Sequence, residues 1–120
     1  MLTDLQRIEH MLEIIRQIRQ IIGSATEVEY AQALSMQFSL RYSVVMLGED
    51  AGAISDDLQR RFPETPWKSL RGMRNSVVHD YVKTLEETLW STYVNDVPVL
   101  ESQLRKIQKY LSTSDSSFQS

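Results

Sequence analysis

The chain of 120 residues has no cysteine, only three prolines and four glycines, and no apolar run approaching the length of roughly 20 residues that a bilayer crossing needs. Without cysteine there is no disulfide framework, no thiolate nucleophile and no thiolate-rich metal site, so the fold must hold by packing. So few glycines and prolines leave few breakpoints, which favours helices over a turn-rich sheet protein. No strand-like alternation is long enough to build a sheet, and no internal repeat is visible. The opening Met1-Leu2-Thr3-Asp4 carries no basic region followed by an apolar stretch, so the expectation is a cytoplasmic protein. Positive charge is also short: 13 lysines and arginines against 16 acidic residues give a net charge of -3. That argues against a protein that coats nucleic acid along its whole surface. The cations are unevenly placed, however. Arg60, Arg61, Lys68, Arg71 and Arg74 fall together with only Glu64 among them, which is either a solvated face or a local basic patch.

What is present is helical periodicity. The size suits one domain, expected over residues 1–111 with a polar, serine-rich tail at 112–120. Thr3 with Gln6 forms a capping-box pattern, followed by Leu5, Ile8, Met11, Leu12, Ile15, Ile18 and Ile22 at helical spacing and a stop near Gly23. Ile14 and Ile21 widen that stripe, so the helix can touch more than one neighbour, another copy of the chain included. Ser24 with Glu27 predicts a second helix through about Leu47, with Val28, Ala31, Leu34, Phe38, Tyr42, Val45 and Met46 as its apolar face and Gly48 as its stop. Residues 49–60 read as a short or irregular helix. Thr65 and Pro66 suit the N-cap and first position of the next helix, with Trp67, Leu70 and Met73 or Arg74 facing inward. Thr84 with Glu87 predicts a restart bearing Leu85, Leu89, Trp90 and Tyr93, and Asp96 before Val97-Pro98 predicts a kink or another restart leading into Leu104, Ile107 and Leu111. The predicted class is all-α, an up-and-down antiparallel helical bundle.

Residues 71–81, Arg-Gly-Met-Arg-Asn-Ser-Val-Val-His-Asp-Tyr, gather two arginines, an asparagine, a histidine, an aspartate and a tyrosine. The bland reading makes Arg74 and Asp80 solvated helix charges and His79 a surface or satisfied core residue. On a continuous helix Arg74 and His79, five apart, point roughly 140° from each other, whereas Asn75 and His79 share a face. Either the helix breaks at His79, or two chains pair so that both contribute to one cleft. An arginine and a histidine without metal ligands suit phosphodiester transfer: histidine moves protons near neutral pH and arginine braces a phosphorane-like transition state. In RNA the substrate's own 2′-hydroxyl can attack, so the protein needs no nucleophile. A glycine-rich phosphate loop, a nucleophile elbow and a zinc-binding His-Glu-x-x-His helix are all missing. His10, near Glu9 and Glu13, is too isolated to make a metal site.

Arg74-Asn-Ser-Val-Val-His79-Asp-Tyr81 fits the pattern of arginine, any four residues, histidine, any one residue, tyrosine. With Pro66-Trp67 before it, Leu89-Trp90 after it, Val97-Pro98-Val99-Leu100 near the end and the long leading helix, the chain up to about Leu111 resembles the HepT-like toxins of the HEPN superfamily. Those are the partners of minimal nucleotidyltransferase antitoxins. The resemblance implies a helical homodimer, alone or inside a larger toxin-antitoxin assembly, whose motifs line a shared cleft and cut RNA without a metal or other cofactor. It assigns catalysis to Arg74 and His79 with Asn75 as the polar residue beside the arginine, and makes Tyr81 the residue to which the nucleotidyltransferase adds AMP. Lys68 and Arg71 are the expected RNA-binding cations beside the motif. Two other readings compete: a non-catalytic subunit that presents Tyr81 or a ligand to a nucleotidyltransferase, and a structural helical dimer.

Overall fold

A computed structural model describes residues 1–79 and 84–119, without the side chains of residues 84, 85 and 114–119. Among the described residues seven α-helices follow in order: α1 (Asp4–Ile22), α2 (Glu27–Gln32), α3 (Leu34–Ala53), α4 (Asp56–Arg61), α5 (Trp67–His79), α6 (Thr84–Ser91) and α7 (Val97–Gln119), with a π-helical turn (Thr92–Asp96) joining the last two. No strand occurs among the described residues, and the all-α expectation holds. The Thr3 capping box forms as predicted, and α1 closes on Gly23, whose φ of 56° is the left-handed conformation glycine adopts cheaply. The contacts fix the directions. Asp4 at the start of α1 meets Ser55 after α3, at 3.0 Å to its N–H, while Arg19 near the end of α1 pairs with Glu101 near the start of α7. Both neighbours therefore run antiparallel to α1.

The second predicted helix is corrected in three ways. The capping box is Thr26 with Glu29 rather than Ser24 with Glu27. The chain breaks at Ala33, which turns extended between α2 and α3. Gly48 is no stop, for α3 continues to Ala53 and the short helix of the following segment is α4, capped by Ser55. The apolar face is also displaced. Val28, Leu34, Phe38 and Tyr42 are exposed, while Leu40, Val44, Leu47 and Ala51 are buried. The reason is that α3 is apolar nearly all round, so its period marks two stripes and cannot say which one meets the core.

Two clusters make the interior. Ile8, Met11 and Ile15 of α1 pack with Leu47 and Ala51 of α3, Leu58, Trp67, and Leu100, Leu104 and Ile107 of α7. Ile18 and Ile22 pack with Tyr30, Leu40, Val44 and Leu89. Tyr30 stacks on Trp90 at 4.9 Å between ring centroids and donates its hydroxyl to Glu86 at 2.6 Å. Burial, reinforced by that carboxylate, pushes the Tyr30 phenol well above its ordinary range. Asp96 is not a cap and the chain does not restart at Val97. Ser91 and Val97 both keep right-handed helical dihedrals, and the Val97 N–H reaches back five residues to Thr92. Pro98 supplies the cause: it has no N–H and its ring would crowd the carbonyl of Val94 four residues back, so the ladder widens by one residue instead of breaking.

Asp50 is a buried carboxylate, its side chain only 2% exposed, held by Arg7 at 3.1 Å on one oxygen and by His10 on the other. This pins α3 to α1. Removing it by Asp50→Ala strands the partly exposed Arg7 and His10 rather than a buried group, so the expected cost is about 1–3 kcal/mol. Urea unfolding should show a lower midpoint at unchanged slope.

Candidate active site on the α3–α5 face

Trp67 sets the phase of α5. Its ring is buried and its indole N–H donates to the Phe62 carbonyl at 3.0 Å. The first helical hydrogen bond runs from the Leu70 N–H to the Pro66 carbonyl. Thr65 does not act as the predicted cap: it is buried and its hydroxyl has no partner among the described residues. With Trp67, Leu70, Met73 and Val77 turned toward the two cores, the outward stripe becomes Lys68, Arg71, Asn75 and His79. Successive members are three or four residues apart and all four are exposed. His79 has no hydrogen bond or ion pair among the described residues.

Arg74 points elsewhere. It lies against α3 at Gly48, where the two helices cross so closely that a Cβ on Gly48 would sit 2.4 Å from the Arg74 Cβ and 2.8 Å from the Leu70 carbonyl oxygen. One turn along, a Cβ on Gly52 would stand 3.2 Å from the Arg71 Cδ. The predicted stop is thus a packing glycine, and it lets the Arg74 guanidinium reach the next residue of α3. Nε donates to Glu49 Oε1 at 2.7 Å, Nη2 stands 2.7 Å from the same oxygen as an ion pair, and Nη1 donates to Asn75 Oδ1 at 3.0 Å. The ion pair is half-open to solvent, with Arg74 34% and Glu49 49% exposed. Gly48, Glu49, Gly52, Ala53, Arg71, Arg74 and Asn75 line one open groove.

Arg71, Arg74 and Asn75 are therefore gathered at one groove, while Arg74 and His79 occupy a single stretch of α5 and diverge around it by roughly 140°. Lys68 lies one turn before Arg71 on the same exposed side. Tyr81 and Asp80 lie outside the described residues. Glu49 was missed in the sequence, although Gly48 and Gly52, four apart in an otherwise helical pattern, mark a face built for close approach. Among the described residues no group of histidine, aspartate and glutamate could hold a metal, and both oxygens of Asp50 are already taken. The groove offers a fixed guanidinium, a neighbouring amide and loose cations, which suits an anionic phosphodiester. Among the described residues no helix is long and apolar enough to cross a membrane.

Comparison with known proteins gives the same direction. The chain is 27% identical over 109 residues to a candidate RNase of Methanocaldococcus jannaschii, covering 88% of this chain and 89% of that protein. It is 26% identical over 102 residues to the "Probable ribonuclease HepT" of Thermococcus cleftensis, covering 85% and 93%. A candidate RNase of Caldanaerobacter subterraneus is 22% identical over 100 residues, covering 83% and 89%. No solved structure matches the chain significantly. The profile of the family described as Ribonuclease HepT-like matches residues 11–107, which takes in every helix from the second half of α1 to the core of α7, and the chain belongs to that family, within the HEPN superfamily.

Proposed function

We propose that this protein is the toxin of a toxin-antitoxin pair and cuts RNA internally without a metal, through Arg74, Asn75 and His79. The observation that carries the reading is the α5 surface, on which a braced guanidinium and an exposed imidazole flank an exposed amide. In the reaction the RNA 2′-hydroxyl attacks the adjacent phosphorus. A neutral His79 takes the hydroxyl proton, the P–O5′ bond breaks, and a protonated imidazole returns a proton to the departing 5′-oxygen. The products are a 2′,3′-cyclic phosphate and a free 5′-hydroxyl. Arg74 neutralises the charge that builds on the non-bridging oxygens, and Lys68 and Arg71 hold the flanking backbone.

Since Arg74 and His79 diverge within one chain, the reading requires a homodimer in which two α5 helices face each other and supply acid and base from different copies. Phe38, Tyr42, Val45 and Glu49 fall on one side of α3 by their spacing of four, three and four. The exposed apolar stripe of α3 thus runs up to the Glu49–Arg74 pair, and a second copy covering it would close the site. Large exposed apolar side chains on so small a chain are the usual mark of such a surface. Tyr81, two residues beyond His79, is the acceptor of AMP from a partner nucleotidyltransferase. A bulky anion there excludes RNA by charge and by volume. The system works in the cytoplasm, where its RNA is.

The test is to incubate the purified protein, shown by intact mass to carry no AMP, with total RNA in excess chelator. Cleavage that survives chelation and leaves cyclic phosphate ends is the expected result. Should the unmodified protein leave every RNA whole, the non-catalytic binding-subunit reading replaces this one.

A further inference from the structure

Glu49 belongs to no motif and sits on a different helix from Lys68, Arg71, Arg74, Asn75 and His79, yet it is the group that fixes Arg74. Its own position is unusually well determined. The neighbour on one side, Gly48, is pressed against the Arg74 Cβ, and the neighbour on the other, Asp50, is buried and tied to Arg7 and His10 of α1. The backbone at Glu49 is therefore clamped from both flanks. From there one carboxylate oxygen accepts from the Arg74 Nε–H and pairs with Nη2, while Asn75 accepts from Nη1, and the remaining N–H groups are left to meet a ligand. A free arginine side chain holds considerable rotamer entropy, all of which a phosphate would have to overcome on binding. A carboxylate beside the arginine also opposes the approach of a phosphate. The two effects act on different steps.

We infer that Glu49 is a positioning residue: it orders the Arg74 guanidinium for the transition state at the expense of ground-state RNA affinity. The inference rests on the ribonuclease reading for its kinetic consequences, but the ordering of Arg74 stands apart from it. Glu49→Ala should lower kcat by about tenfold or more, in the range seen when a catalytic group is misplaced by an ångström or so. At the same time KM should fall, and the dependence of RNA binding on salt should steepen by about 0.7 in log–log slope, one more effective phosphate contact on single-stranded RNA. Glu49→Gln keeps an acceptor oxygen for the Arg74 Nε–H and should recover part of the lost kcat. A merely structural role would move kcat and stability together and leave the salt slope alone.

The experiment measures kcat, KM and the salt slope for wild type, E49A and E49Q, together with the backbone-independent order of the Arg74 Nε–H group by NMR, assigned through its loss in Arg74→Lys. The expected result is a slow kcat with a low KM in E49A, and an ordered Nε–H in wild type that becomes mobile in E49A. An unchanged or faster kcat in E49A makes Glu49 a brake and overturns the inference. If wild type cuts no RNA, the ribonuclease reading fails by itself. The NMR result then decides: an Nε–H as mobile in wild type as in E49A sinks the positioning claim.

Discussion

Replacing His79 with alanine is expected to lower RNA cleavage by about 10²- to 10⁴-fold, the range that a positioned general acid or base contributes. The fold should not notice. His79 is exposed and has no hydrogen bond or ion pair among the described residues, and surface substitutions of that kind stay within about 0.5 kcal/mol. Equal thermal midpoints for wild type and variant, alongside the loss of cyclic-phosphate products, would separate a chemical role from a structural one. Because the dimer reading draws acid and base from different copies, a mixture of His79→Ala and Arg74→Ala chains is informative too. A heterodimer that regains no activity is expected, since the shared cleft then holds one imidazole where acid and base need two. Full cleavage by His79→Ala alone would remove this residue from the mechanism.

The second large effect is structural and lies on the other helix. Gly48→Ala puts a methyl group 2.4 Å from the Arg74 Cβ and 2.8 Å from a backbone carbonyl oxygen. Neither neighbour is the loose end of a side chain, so the helices must separate. Alanine favours helix over glycine by about 1 kcal/mol, but overpacking of a tight contact costs more, and a net loss of about 1–3 kcal/mol is expected. In a chain of this size that is a fall of roughly 4–12 °C in Tm. The loss of activity should exceed what stability explains, because moving α5 from α3 takes Arg74 away from Glu49. Gly52→Ala is the control: it meets only the flexible Arg71 side chain, at 3.2 Å, and should leave the midpoint unchanged or raise it. Equal damage from the two would mean that the close crossing at Gly48 has no special part in the site.

Much of this was legible because it is written in local rules. The Thr3 box, the Gly23 stop and the buried face of α1 follow from capping and period alone. So do the burial of Leu89 and that of Leu104 and Ile107. Errors came where a local signal had two meanings. Gly48 after an apolar run reads as a C-cap, yet the same lack of a side chain permits a close crossing, and only the partner helix decides between them. The face of α3 failed because both of its sides are apolar. At the site, Arg74, Asn75 and His79 could be picked out as a motif on one helix. Glu49 could not, since its meaning arises from a contact 25 residues away in the chain. Whether Arg74 and His79 meet was open in the sequence, and within one chain the α5 geometry turns them apart.

The π-helical turn at Thr92–Asp96 has a consequence for how one long rod can serve two interiors. Leu89 before it belongs to the cluster around Tyr30, whereas Leu100, Leu104 and Ile107 after it belong to the cluster around Ile8 and Trp67. An unbroken α-helix would set Leu89 and Leu100 nearly in line, since eleven residues are close to three whole turns. One surplus residue in the turn rotates everything downstream by roughly 100°, so the rod changes its facing without changing its course. The segment works as a thread offset between two screws: its length, rather than the identity of its exposed residues, is what selection has to hold.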